Sequence, residues 1–219
     1  MIIIFDWDGT IIDSRAKIVG CMQQAAVDCD MPPQSEEAIS NIIGLELTLA
    51  IQTLYPQLPP PMIEKLRERY ARRFVEADAQ PCNLFARVEE TLTALHRDGH
   101  QLCVATGKSR KGLDRVFGRL PISELFVASR CADETRSKPD PLMLHELCEE
   151  LAARPHEALM VGDTEYDLAM AKGIDMPAVG VSYGAHAPAR LAALQPLALI
   201  DCFSELLPIV NGQSGHSTG

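Results

Sequence analysis

Short apolar runs punctuate the chain at Met1–Phe5, Gln101–Ala105, Leu125–Ala128, Ala158–Val161 and Ala178–Val181. Runs of this length, apolar at nearly every position instead of every second one, predict strands buried on both faces. Between them the spacing turns helical. Residues 109–120, 141–153 and 164–173 read as helices, and Val88, Leu92 and Leu95 share one helical face that Gly99 terminates. Strand and helix in alternation predict an α/β fold, a doubly wound parallel sheet with helices on both faces.

One interval breaks this rhythm. From Arg15 to Cys82 no strand pattern occurs, and helices are expected over 16–28 and 62–75, the second preceded by Pro59, Pro60 and Pro61. Roughly seventy residues between the first and second strands are too many for an ordinary crossover. A small helical domain is therefore expected over 14–83, inserted in a core made of 1–13 and 84–208. Its boundaries fall at the Asp13–Ser14 turn and the Gln80–Pro81 stretch. Residues 209–219, ending NGQSGHSTG, read as a flexible C-terminal tail.

Composition narrows the function classes. With 219 residues, 47% hydrophobic and 23% charged, the chain has an ordinary globular mix, which excludes wholesale disorder and collagen-like repeats. A formal net charge of -10 counts against a nucleic-acid polymer as partner. No apolar run is long enough to span a membrane. Met1–Thr10 lacks a basic stretch and is interrupted by Asp6 and Asp8, unlike an export signal. The seven cysteines form no CxxC pair and the six histidines no HExxH, so reduced thiols and a cytoplasmic location are expected.

The chemistry lies where the acids fall. Asp6 and Asp8 follow the first strand, Thr106 and Gly107 the second, and Asp163 the fourth, with Asp167 four residues on. Lys138, in S-K-P-D-P, precedes the helix that begins near Pro141. Each has a bland reading: a turn for Asp6–Gly9, a Thr164–Asp167 capping box, a solvated lysine. Together they point to one place, because the carboxyl ends of parallel strands form the ligand crevice. Three carboxylates crowded there repel one another unless cations balance them. Lys138 and one divalent ion supply the balance, and an all-oxygen set favours Mg²⁺. A carboxylate neutralised in this way can approach a phosphate and accept its phosphoryl group.

The segments DWDGTIIDS, ATGK, KPDP and VGDTEYD resemble, in order, the motifs of the haloacid dehalogenase superfamily, in its phosphoglycolate-phosphatase-like branch. The resemblance implies a Rossmann-like core with a helical cap and a Mg²⁺-dependent phosphatase acting on a small phosphorylated metabolite. It makes Asp6 the nucleophile, Asp8 the general acid and then base, and Thr106, Gly107 and Lys138 the phosphate-binding groups. It places the metal on Asp6, Asp163 and the Asp8 carbonyl, with Asp167 orienting Lys138 or a metal-bound water. Monomer and small homo-oligomer both remain open. So do a β-phosphoglucomutase-type phosphomutase and a non-catalytic binding module on the same fold.

The sequence departs from the branch in places. Trp7 stands where a smaller apolar residue is usual, and Leu84–Val88 replaces a Pro-Gly turn. Gly44-Leu45-Glu46 reads either as a substrate-facing loop or, preferably, as a helix-to-helix turn. Arg67, Arg69, Arg72 and Arg73, mixed with Glu64, Glu68 and Glu76, suggest a solvated helix face. Lys108, Arg110 and Lys111 either steer an anion or are plain surface.

Overall fold

The computed structural model describes residues 1–79 and 82–214. Among them, β1 (Ile2–Phe5), β2 (Gln101–Thr106), β3 (Phe126–Cys131), β4 (Ala158–Gly162), β5 (Ala178–Val181) and β6 (Ala198–Ile200) form one sheet. The order is β3-β2-β1-β4-β5-β6 and every pairing is parallel. The chain winds outward from β1 in both directions, so the switch point lies between β1 and β4. The pattern predicts five of these strands. The sixth, β6, is three residues long and is fixed by pairing with β5, Val181 opposite Ile200.

Alternation along β1 sorts its side chains between two cores. Ile3 and Phe5 pack with Val88, Leu92 and Leu95 of α5 (Val88–Arg97) and with α10 (Leu206–Ser214). Ile2 and Ile4 face the other side, against α7 (Leu142–Glu150), α8 (Glu165–Lys172) and α9 (Pro188–Ala192). Full burial on both faces explains why β1 carries no polar position. One boundary needs correction. The tail expected from residue 209 is helical as far as Ser214, and Val210 is fully buried. Residues 215–219 of that tail, and the Gln80–Pro81 boundary, lie outside the described residues.

Between β1 and α5 come α1 (Arg15–Val27), α2 (Glu36–Ser40), α3 (Leu47–Leu54) and α4 (Pro60–Ala77). They share a hydrophobic cluster of their own around Met22, Ala26, Ile39, Ile51 and Leu66. Arg73 of α4 reaches Asp28 with two hydrogen bonds, 2.6 and 2.7 Å, which tie α4 to the end of α1. The segments entering and leaving this module touch, with the Asp13 N–H donating to the Asn83 carbonyl at 2.9 Å. Among the described residues, no helix is long and apolar enough to cross a membrane. All seven cysteines are free.

Candidate active site

The sheet delivers its polar residues to one edge. Phe5 is in register with Val104 and Val161, so the residues just beyond β1, β2 and β4 emerge side by side. Asp6 donates its backbone N–H to the Val161 carbonyl at 2.9 Å, which fixes its position against β4. Thr106 ends β2 and Asp163 follows β4. Lys138, in the loop before α7, is completely buried. Its ammonium donates to Asp6 Oδ1 at 2.5 Å and to Asp167 Oδ1 at 2.6 Å.

Asp167 is both a helix cap and a site residue. Its Oδ2 accepts from the Thr164 hydroxyl at 2.7 Å and the Thr164 N–H at 3.0 Å, while Oδ1 holds Lys138. The capping box thus fixes the carboxylate that fixes the lysine. Asp163 accepts from the Thr10 hydroxyl at 3.0 Å and from the Ala185 N–H at 2.7 Å. Gly9 makes this approach possible: its φ is +87°, and a Cβ there would lie 2.2 Å from Asp163 Oδ2.

Asp8 faces a different environment. Its Oδ1 accepts from the Ser14 hydroxyl at 2.6 Å, and its Oδ2 lies 2.9 Å from the Lys108 ammonium. Lys108 and Lys17 both lie over the Phe74 ring of α4, at 4.7 and 4.8 Å from its centroid. Thr106 Oγ1 accepts the Lys108 N–H at 3.2 Å, so the residue expected to bind phosphate also shapes the turn carrying Lys108. Gly107 marks the closest approach of the helical module. A Cβ on Gly107 would lie 2.4 Å from the Gly44 carbonyl oxygen. The Glu46 N–H donates to Ser137 at 2.9 Å across the same junction.

The buried cluster lacks positive charge. Asp6, Asp163 and Asp167 each offer a carboxylate oxygen, all within 4.8 Å of one another, against the single ammonium of Lys138. Asp6 Oδ2 is buried and has no hydrogen-bond partner. Burial pushes Asp6 well above its ordinary range, and the charges of Asp167 and Asp163 add to the rise that Lys138 opposes. Burial, followed by the Asp167 charge, pushes Asp163 up to about 7. Burial works against the Lys138 ammonium, but Asp167 and Asp6 outweigh it and raise its pKa. The orphaned oxygen, the all-oxygen donor set and the charge deficit fit a divalent cation. Asp6 is the best donor, because its Oδ2 has no partner, and Asp163 comes next, because its oxygens accept only from the neutral Thr10 and Ala185 groups, whereas Asp167 already holds the Lys138 ammonium.

All the residues expected at the site converge, on one edge of the sheet. The preference for a plain turn at Gly44–Glu46 tells half the story: Glu46 caps α3 through the Thr48 and Leu49 N–H groups, and all three residues also line the cleft. Lys108 is a contact of Asp8, not plain surface, while Arg110 is engaged with Glu134 and Ser129. Arg67 pairs with Glu64 at 2.6 Å on an exposed face, three residues apart. Sequence reasoning missed Thr10, Ser14 and the Ala185 N–H. The two hydroxyls lie within DGTIIDS, beside Asp8, which was the available signal.

Comparison with known proteins agrees with this fold. The family model described as haloacid dehalogenase-like hydrolase matches residues 3–181. A phosphoglycolate phosphatase of Vibrio parahaemolyticus is 29% identical over 217 residues, 95% of each chain. A protein of Dickeya dadantii named "Probable phosphatase IndB" is 34% identical over 212 residues, 94% of this chain and 91% of its own. The crystal structure of a predicted phosphoglycolate phosphatase from Haemophilus somnus superposes with a TM-score of 0.88 at 25% identity, covering 95% of this chain and 97% of that one. The chain belongs to the haloacid dehalogenase-like hydrolases, in their phosphoglycolate-phosphatase-like branch.

Proposed function

We propose that the protein is a Mg²⁺-dependent phosphatase that hydrolyses a small phosphomonoester through an aspartyl-phosphate on Asp6. The observation that carries this reading is the buried Asp6–Lys138–Asp167 chain, with Asp6 Oδ2 left without a partner beside Asp163. In the first step the Asp6 carboxylate attacks phosphorus. The bond from phosphorus to the alcohol oxygen breaks, and Asp8 gives that oxygen a proton. In the second step water attacks the aspartyl-phosphate, Asp8 takes the proton from the water, and phosphate leaves with Asp6 restored.

The remaining residues position and neutralise. Lys138 holds Asp6 in place and offsets the charge of the incoming phosphate, and Asp167 aims Lys138. Thr106 and the Gly107 backbone bind the transferring group. Ser14 and Lys108 fix the Asp8 carboxylate. Asp6, Asp163 and the Asp8 carbonyl would hold Mg²⁺, which would supply Lewis-acid charge to the phosphate. Helices α1–α4 act as a cap that excludes water during transfer. The substrate is a phosphorylated metabolite of the cytosol, and no nucleic-acid polymer is involved.

The test is phosphate release from a panel of phosphomonoesters, with Mg²⁺ and with EDTA. Turnover that requires Mg²⁺ is expected. Tight binding of one ligand without any turnover would favour a binding module instead.

A further inference from the structure

A cleft of about 590 Å³ opens in front of Asp6 and Asp8 and runs beneath the helical module. Phosphate with a two-carbon acid such as glycolate would fill a small part of it. Pockets of this size enclose ligands with many more heavy atoms. The wall facing Asp8 is mostly carbon: Ile18, Met22, Ile43, Leu45, Tyr70 and Phe74.

Three of the five cations that line the cleft are paired. Lys108 sits on Asp8 at 2.9 Å, Arg115 on Asp78 at 2.9 Å and Arg67 on Glu64 at 2.6 Å. Arg72 and Lys111 lie on exposed surface at the mouth. A carboxylate tail held against the apolar wall, away from these two, would lose its water and meet only paired cations, which is costly. An apolar ring would instead gain burial against the wall.

Tyr70 stands out on that wall. It packs against Phe74 with ring centroids 5.7 Å apart. It makes no hydrogen bond through its hydroxyl among the described residues, yet it lies near enough to feel Asp8: burial, and then the Asp8 charge, raises its phenol well above the ordinary range. A half-buried tyrosine that lines the same cleft as Asp8, with no internal partner for its hydroxyl, is available to a substrate oxygen.

We propose that the cleft selects phosphomonoesters of bulky, uncharged, ring-bearing alcohols over short carboxylated ones, and that Tyr70 is the cap residue that reads this difference. The proposal rests on the phosphatase reading above. Its physical content is shape and desolvation: the ring of the alcohol lies against Tyr70 and the neighbouring aliphatic side chains while the ester oxygen stays beside Asp8.

Benzyl phosphate, glycerol 3-phosphate and 2-phosphoglycolate all leave as primary alkoxides, so their intrinsic reactivity is closely matched. Benzyl phosphate is expected to show a kcat/KM at least about tenfold above 2-phosphoglycolate, which is what burying two or three extra methylene-sized groups provides. Tyr70→Ala should narrow that ratio at least about fivefold, mainly through the KM for benzyl phosphate. Tyr70→Phe should keep most of the preference, because the ring remains. A kcat/KM for 2-phosphoglycolate equal to or above that for benzyl phosphate would overturn the proposal while leaving the phosphatase reading intact. An unchanged ratio in Tyr70→Ala would remove Tyr70 from the selection. If none of the three esters is hydrolysed with Mg²⁺ while another ester of the panel is, the proposal falls and the phosphatase reading stands; if no ester of the panel turns over, both fall.

Discussion

The core side of the cleft holds each polar group by several contacts, whereas the helical side presents mostly carbon. Asp6, Asp163 and Asp167 are buried and each accepts from a named donor, with Lys138 between two of them. Across the cleft, the Tyr70 hydroxyl forms no hydrogen bond among the described residues, and its ring packs against Phe74. The first arrangement tolerates almost no substitution, because removing one partner leaves a buried charge unmatched. The second tolerates change in shape and volume. In the proposed reading, chemistry is therefore fixed on the sheet, and selection is left to the part that can be rebuilt.

The largest expected effect comes from breaking the core side. Lys138→Met leaves Asp6 and Asp167 buried without their shared cation. Such a loss costs about 3–5 kcal/mol, read as a drop in melting temperature, and phosphate release should fall on the order of a thousandfold. A variant that melts with the wild type would mean that the lysine does not hold the cluster together.

Next comes Gly9→Ala. The φ of +87° and the 2.2 Å approach to Asp163 predict a loss of about 2–4 kcal/mol, measured by denaturant titration. Added Mg²⁺ should rescue this variant less than the wild type, since the new methyl displaces a proposed ligand.

A pH experiment sharpens the comparison further. Burial and the Asp167 charge raise Asp163 from 3.8 to about 7 in the folded, metal-free protein. Between those values the native state keeps a proton that the unfolded chain releases. The Asp163 contribution to the stability of the metal-free form therefore falls as pH rises through this window and levels off above about 7. A cation must displace that proton, so apparent Mg²⁺ affinity should weaken by at least about tenfold per pH unit below 7. Thermal-shift titrations at pH 8, 7 and 6 would read it. A pH-independent midpoint would show that Asp163 does not exchange a proton for the metal.

The smallest effect lies away from both walls. Arg87 precedes α5 with φ +66°, in the Leu84–Val88 segment that stands where the branch often has a Pro-Gly turn. Arg87→Gly should relieve left-handed strain and leave stability unchanged or raise it by about 1 kcal/mol, with no change in turnover.

The uneven design of the cleft explains what could be read from the sequence. Strands buried on both faces leave continuous apolar runs, and the acids beyond them stand at fixed offsets, so Asp6, Asp8, Thr106 and Asp163 could be placed on one edge. Lys138 was placed there by its motif. The short strand β6 left no such trace, because pairing with β5 and not its own composition defines it. Nor could the partners of Asp8 be assigned, since Lys108 lies a hundred residues away and looks like any surface lysine in KSRK. The wall around Tyr70 was least legible. Its apolar positions serve the packing of α1–α4 and the lining of the cleft at once, and spacing alone does not separate the two uses.

The account stands on Asp6 as the atom donor to phosphorus, and replacing its carboxylate tests this most directly. Asp6→Asn keeps the size of the side chain and removes the nucleophile. Phosphate release with saturating Mg²⁺ should fall at least about a thousandfold, with the folded structure retained by circular dichroism. Turnover within tenfold of the wild type would contradict the covalent mechanism.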